Sequence, residues 1–360
     1  RAPARPLTGI AARGATMAAV PLAPSLDDVR ARGLAAGLDA VGVAGAEPFT
    51  STRRDLDERK AAGLHGGMHF TYGDPSRSTD PARTVPGARS LVVGARRYRR
   101  ADPPPPPEAA GAVARYARSD HYGALRVALE AIADDLRAAG WTARVLCDDN
   151  ALVDREAARR AGLGWYGKNA NLLLPGMGSW FVLGSVVTDA PINATPEPVP
   201  DGCGTCVRCI DACPTGAIVA PGVVDARRCL AWLVQARGTF PVEHREALGG
   251  RLYGCDDCQE VCPPNRAADR REPPADVAGE EAWVPLVELL AATDDELLAR
   301  HGRWYIPRRE ARWLRRNALV ALGNVGRADD VEVVAALHRF ADGDDELLAE
   351  HAAWSLDHIA

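Results

Sequence analysis

The chain has 360 residues, 47% apolar and 25% charged, enough for two or three domains around a substantial core. Its net charge of −5 excludes a globally basic nucleic-acid binder, so any such surface has to be a local patch. No apolar run reaches the roughly eighteen residues of a helical membrane span, and no membrane association is expected.

Residues 1–16 are rich in Arg, Ala and Pro and lack the apolar stretch of a signal peptide. They read as part of a disordered extension over residues 1–20. Ser25 and Asp28 form a capping pattern for a helix to about residue 37. A short buried strand follows at 38–44, a charged helix at 53–62, and a long Gly-, Pro- and Asp-rich loop at 64–87. Residues 90–94 read as a strand and 103–107 as a polyproline surface loop. Leu125, Leu129, Ile132 and Leu136 mark a helix over 121–139, closed by Gly140. A strand at 143–146 ends on Cys147-Asp148-Asp149-Asn150, followed by a helix at 151–161, a glycine-rich loop and a strand at 180–187. Strands alternating with helices indicate an α/β (α+β) unit over 21–190, and such sheets bind ligands beyond the carboxyl ends of their strands. Four prolines between 191 and 200 mark a boundary. A cysteine-rich unit then runs over 191–270, with a polar linker at 266–280. The chain from 280 to 360 reads as wholly helical, with helices at 284–300, 307–322, 328–341 and 344–358 resembling a HEAT-type repeat.

The cysteines carry the strongest signal. Cys203-x2-Cys206-x2-Cys209-x3-Cys213-Pro214 is the bacterial ferredoxin run, whose fourth cysteine ligates the other cluster. Cys229, Cys255, Cys258 and Cys262 supply a second group of four, leaving Cys147 over. Ferredoxin logic assigns Cys203, Cys206, Cys209 and Cys262 to one [4Fe–4S] cluster, and Cys213, Cys229, Cys255 and Cys258 to another. Zinc knuckles and disulfides compete with this reading. Zinc sites pair their cysteines two by two, and numerous free thiols suit a reducing cytoplasm.

Other stretches are ambiguous by themselves. Residues 162–169 satisfy both G-x-G-x-x-G and G-x4-G-K. The loop, however, follows a helix and leads to a strand, the reverse of a dinucleotide or phosphate loop. It is either a backbone-lined approach to a large ligand, with Trp165 as a flat surface, or a helix-capping glycine turn. Asp148 lies at a strand end, where burial could raise its pKa for proton donation. A capping or solvated role competes, and spacing does not select it over Asp149. Arg308, Arg312, Arg315 and Arg316 recur on one helical face and could hold phosphates. Only Lys60 and Lys168 are lysines, so arginine abundance carries little weight and a solvated face competes.

These pieces together resemble the epoxyqueuosine reductase family over nearly the whole chain. The resemblance rests on Arg115-Tyr116-Ala117, Asp148 with Asp154-Arg155, Gly162-Leu163-Gly164-Trp165 with Gly167-Lys168, and Gly178-Ser179-Trp180-Phe181. Beyond the cysteine run it continues in Tyr253-Gly254-Cys255-Asp256-Asp257-Cys258-Gln259 and in Arg312-Trp313-Leu314-Arg315-Arg316-Asn317-Ala318. It implies a cobalamin held beside two [4Fe–4S] clusters and reduction of the epoxide of epoxyqueuosine in the wobble position of tRNA. It implies Asp148 as the proton donor. Corrin contacts would come from Arg77, Asp148, Trp165, Lys168, Leu172, Tyr253, Gly254, Cys255 and Asp256. An external low-potential electron donor is implied, and a monomer is expected. The chain departs from the family pattern at Ala151, where proline is usual, at Asp154, where glutamate is usual, and at Leu230-Ala231-Trp232 after Cys229. The alternative is another cobalamin- and iron–sulfur-dependent reductase acting on a small molecule, such as a reductive dehalogenase-like enzyme.

Overall fold

The computed structural model describes residues 22–106, 108–193, 196–274 and 279–359. The expected extension over residues 1–20 lies outside them. The first segment contains α1 (Leu26–Ala35), β1 (Ala40–Gly45), α2 (Thr50–Ala61), α3 (Pro75–Ser78), β2 (Ser90–Arg97), β3 (Ala110–Val113), α4 (His121–Ala138), β4 (Ala143–Cys147), α5 (Asp154–Arg160), β5 (Trp165–Tyr166), β6 (Leu172–Leu173) and β7 (Phe181–Thr188). Ser25 caps α1 with the expected reciprocal bonds to Asp28.

Four strands form one sheet in the order β1-β2-β7-β4, and every neighbouring pair is antiparallel. The expected α/β (α+β) unit is thus of the α+β kind: the intervening helices return the chain without making the strands parallel. Both faces are covered. Val43 and Val92 point to one side, with Leu125 and Leu129 of α4; Ala44, Leu91 and Val93 point to the other, with Ala157 of α5 and Leu172 of β6. Burial on both faces explains the continuous apolar runs that made these strands readable.

The cysteine-rich segment holds α6 (Arg208–Asp211), β8 (Ile218–Ala220), β9 (Val223–Val224), α7 (Leu230–Leu233), α8 (Arg245–Leu248), β10 (Arg251–Tyr253), α9 (Asp257–Glu260) and α10 (Pro263–Arg271). It meets the sheet through a buried polar junction. Asn265 accepts the Ser179 N–H at 2.6 Å, and the Ser179 hydroxyl donates to Gln259 at 2.8 Å. A Cβ on Gly178 would stand 2.0 Å from the Asn265 amide oxygen, so only glycine permits this approach.

The last segment is not wholly helical. β11 (Trp283–Pro285) precedes α11 (Leu286–Ala291), α12 (Asp294–His301), α13 (Arg312–Val325), α14 (Val331–Ala341) and α15 (Glu346–Leu356). β3 lies between β10, which it pairs in parallel, and antiparallel β11, so one small sheet joins three distant parts of the chain. A single apolar core then runs from Val113 and Leu252 through Val284 to Leu314, Leu337 and Ala352.

Candidate functional site

All nine cysteines are free thiols, so the disulfide reading falls. Cys203 lies in a surface turn in which Asp201 accepts its N–H at 2.8 Å, and Cys209 sits on α6. The Cys213 sulfur accepts the Ala217 N–H at 3.2 Å. Cys229 and Cys262 occupy the N-cap positions of α7 and α10, where free backbone amides favour a thiolate. Cys258 lies on α9, and Cys255 just before it donates to Asp257 at 3.4 Å.

Mutual electrostatics sort these thiols. Burial pushes the Cys262 thiol up to about 11, and Cys203, Cys209 and Cys206 raise it further. Burial also raises Cys209, helped by Cys203 and Cys206. Cys258 is raised by burial and then by Cys229, Asp256, Cys209 and Cys213. Cys229 is raised by burial and by Cys213, and Cys255 by burial, Asp257 and Cys258. These charges relate Cys262 and Cys209 to Cys203 and Cys206, and Cys258 to Cys229, Cys209 and Cys213. Crowded thiolates that repel one another need cationic metal to neutralise them, and two iron–sulfur cubes fit this donor set.

Asp148 stands immediately beyond β4 with φ at 53°, a left-handed backbone costing about 1–3 kcal/mol for a non-glycine residue. Asp149 instead accepts the Ala151 N–H at 2.9 Å and closes the turn. Asp148 keeps an exposed surface although nearby protein crowds its carboxyl. That crowding raises its pKa, with Arg126 opposing and Asp149 reinforcing the shift. Nearby, Asp154 is raised well above the carboxylate range by burial and by Asp148, and its Oδ1 is buried without a partner. The phenols of Tyr122 and Tyr253 lie within electrostatic reach of Asp148; burial first, then that charge among others, raises both. Arg155 is exposed and makes no hydrogen bond or ion pair among the described residues, yet its charge reaches Tyr98, Tyr122, Tyr166, Asp154 and the Cys229 thiol. Arg155 therefore lies within electrostatic reach of both Asp154 and the Cys229 thiol. Its position in Asp154-Arg155 was visible as a matching dipeptide, whereas the phenol ring around it left no signal in spacing.

The remaining expected contacts divide. Exposed Arg77 ends α3, and its loop is bound to the Asp148 turn by Thr71 N–H to Asn150 at 3.2 Å and Val153 N–H to Ser78 at 3.0 Å. Lys168 donates to the Gly204 carbonyl at 2.8 Å, bridging the glycine loop to the Cys203 turn. Trp165 is half-buried against Gly202, with its indole N–H unpartnered. Leu172 and Tyr253 differ from the expectation of open corrin contacts. Leu172 packs in the sheet core, and Tyr253 is stacked 4.5 Å from Trp304. Both are buried because β6 and β10 each present that side chain to a core. Asp256 is also buried; it accepts the Arg115 N–H at 2.8 Å, and burial raises its pKa to about 6 against the pull of Arg115. Gly254, Cys255 and Asp256 line a separate cavity of about 520 Å³ that none of Asp148, Trp165, Lys168 or Leu172 reaches.

The arginine stripe does not form an open surface. Arg316 is 1% exposed and donates to the carbonyls of Leu233, Ala236 and Gly238 at 2.7–2.8 Å. Arg315 pairs with Asp294 and donates to the Ala292 carbonyl, and Arg312 pairs with Asp345 at 2.7 Å. The physical reason is that α13 lies inside the last segment, so the face carrying the stripe meets protein. Of the four, only Arg308 is free, on the turn before α13.

Residues 202–265 match a family model described as a 4Fe-4S double cluster binding domain. An epoxyqueuosine reductase of Xanthomonas campestris is 36% identical over 91% of this chain and 95% of its own length. One of Bacillus cereus is 32% identical over 84% and 81%. The solved structure of an epoxyqueuosine reductase with a tRNA-Tyr epoxyqueuosine-modified stem loop superposes with a TM-score of 0.82 at 30% identity, covering 92% of this chain and 88% of that one.

Proposed function

The chain belongs to the epoxyqueuosine reductase family, and from that premise we propose how its residues reduce the epoxide of epoxyqueuosine to queuosine in the wobble position of tRNA. The relatives carry the tRNA reading, not the small-molecule one. The net change takes two electrons and two protons, opens the epoxide to an alkene and releases its oxygen as water.

Two [4Fe–4S] clusters held by the eight cysteines would bring electrons from an external donor. The quartet of Cys213, Cys229, Cys255 and Cys258 would be the inner one, because the charge of Arg155 acts both on the Cys229 thiol and on Asp154, which Asp148 also raises. A cobalamin bound beside Asp148 would supply the low-potential reduction of the carbon–oxygen bond. The residues present fit such a group: polar atoms on Asp154 and Trp165 and the Arg155 guanidinium have no partner among the described residues. Arg77, Trp165 and Lys168 would hold it, with Leu172 and Tyr253 packed behind as support, while Gly254, Cys255 and Asp256 line the separate cavity.

Asp148 carries the proposal. Burial raises its pKa and so favours the acid form, from which it would deliver a proton to the departing oxygen. Asp154 stands behind it as a second protonated carboxyl, and Arg155 balances charge as the proton leaves. Around this site we read three units, 21–190, 191–270 and 280–360, the last a HEAT-like repeat in which α15 packs against α13 and α14. We place the enzyme in a reducing cytoplasm, as a monomer; no helix among the described residues is long and apolar enough to cross a membrane.

The test is anaerobic reconstitution with iron, sulfide and cobalamin, followed by assay on tRNA carrying epoxyqueuosine. Queuosine formed only when both cofactors are present is the expected result. Cluster spectra with no corrin uptake would leave a plain electron-transfer module and overturn the reading.

A further inference from the structure

Between α12 and α13 the chain makes a turn that is held by its own backbone bonds, Arg309 N–H to Ile306 at 2.9 Å and Glu310 N–H to Pro307 at 3.1 Å, and that leaves an arginine and an aromatic ring in solvent. Arg308 has φ 53° and ψ 14°, and Arg309 has φ 55°, so two successive side-chain-bearing residues hold left-handed backbone. Such strain persists only where surroundings impose it. Its effect is to turn both arginines outward: Arg308 is exposed and makes no hydrogen bond or ion pair among the described residues, and exposed Arg309 reaches only the Gly302 carbonyl. Three residues earlier, Tyr305 is 56% exposed, a large aromatic ring left in solvent.

The turn is fixed to the reaction site. The Tyr253 hydroxyl accepts the Tyr305 N–H at 2.9 Å and donates to the Tyr305 carbonyl at 3.3 Å, and Tyr253 lies within electrostatic reach of Asp148. Tyr253 in turn stacks on Trp304, whose indole N–H donates to the Ala117 carbonyl at 2.8 Å. The backbone beneath Tyr305 is therefore rigid while its ring is free. A rigidly presented aromatic beside unpaired arginines suits one ligand class: single-stranded nucleic acid, whose bases stack on aromatic faces and whose phosphates pair with arginine.

We propose that residues 305–309 grip the anticodon loop beside the reacting nucleotide, with Tyr305 stacked on an unpaired base and Arg308 on a phosphate. This rests on the tRNA reading above. It relocates the RNA contact from the buried α13 stripe to the turn that precedes it, and it adds an aromatic anchor.

The experiment measures binding of a fluorescein-labelled epoxyqueuosine stem loop to the reconstituted full-length enzyme across a salt series, beside melting temperature. Tyr305→Ala should weaken binding about five- to hundred-fold, the loss of one base stack, while Tyr305→Phe keeps it. Arg308→Ala should lower the slope of log affinity against log salt by about 0.7, the value for one phosphate on a single strand, and Arg308→Lys should restore it. Arg308→Gly should weaken binding and raise the melting temperature, because glycine relieves the left-handed strain. Unchanged affinity for Tyr305→Ala and an unchanged salt slope for Arg308→Ala would overturn the proposal while wild-type binding upheld the tRNA reading. Failure of the wild-type enzyme to bind the stem loop would overturn both.

Discussion

Asp148 and Asp149 are adjacent, chemically identical and differently used, and the difference lies in their backbone. Asp149 spends its carboxylate on a turn amide, whereas Asp148 is held left-handed with its carboxyl crowded by nearby protein. Asp148→Asn should lower turnover by about 10²–10⁴-fold, the range for a lost general acid, with cluster and corrin spectra intact. Undiminished turnover would remove Asp148 from the reaction. Because its pKa is raised, the acid form needed for donation is lost as pH rises through that value, so the rate should fall there and the Asn variant should lack that limb. The stability sign is the same: the folded state binds this proton more tightly than the unfolded chain, and the contribution disappears as pH rises through the folded value. Among the cysteines, Cys262 is the informative one, forty-nine residues beyond Cys213 yet grouped with Cys203, Cys206 and Cys209. Cys262→Ala should abolish the same cluster signal as Cys203→Ala and leave the signal lost in Cys229→Ala, read by iron content and electron paramagnetic resonance. A Cys262 variant matching Cys229→Ala instead would break the quartet assignment.

At the scale of elements, α13 shows what periodicity can and cannot reveal. Spacing put Arg312, Arg315 and Arg316 on one face, and they are; it carried no information on what that face meets. Arg316 binds the carbonyls at and beyond the end of α7, and Asn317 donates to the Val234 and Leu252 carbonyls at 2.8 and 3.3 Å. Since Cys229 is the N-cap of α7, this clamp holds the helix that presents an inner-cluster ligand. Burial and nearby Arg245 lower the Arg316 pKa to about 9, still leaving it charged at neutral pH. Arg316→Ala would strip several buried carbonyls of their donor at about 1–3 kcal/mol each, enough to unfold or markedly destabilise the protein. Arg316→Lys should recover part of that stability, with stem-loop affinity per folded molecule unchanged. Weakened RNA binding at full stability would return Arg316 to the RNA surface. The glycine loop teaches the same lesson. A Cβ on Gly164 would lie 2.0 Å from the Leu173 carbonyl, so this glycine serves the β5–β6 pairing, and the phosphate-loop patterns arise by coincidence. Local devices such as the Ser25 cap, the α4 stripe and the cysteine run were legible because their cause lies within a few residues. Strand direction, β11 and the tyrosines near Asp148 depend on partners far outside any local window and leave no local trace.

For the molecule as a whole, the expected break near residue 280 separates stretches of sequence but not of core. β3 from the first segment, β10 from the second and β11 from the third form one sheet, and Leu252, Val284 and Leu314 share its apolar side. The fourth core group repeats the theme, packing Leu230, Leu233 and Phe240 against Val320 of α13. The Phe240 N–H donates to His351 Nε2 at 3.0 Å on α15, and burial with Arg245 and Arg316 lowers the His351 pKa to about 4. Because the folded value lies below the unfolded 6.5, the unfolded chain takes up a proton first, and stability should decline as pH falls from about 6.5 toward 4. A helical tail serving only to bind RNA could be removed without harm to the cofactor sites. This one could not: ending the chain at residue 280 would deprive β3 of β11, expose Val113, Leu252 and Tyr253, and release the carbonyls held by Arg316 and Asn317 around α7. The shortened protein should therefore lose cooperative unfolding and fail to retain the cluster that Cys229 ligates. A truncated chain that kept both cluster signals and a sharp melting transition, and lost only affinity for the stem loop, would show the tail to be a detachable RNA module instead.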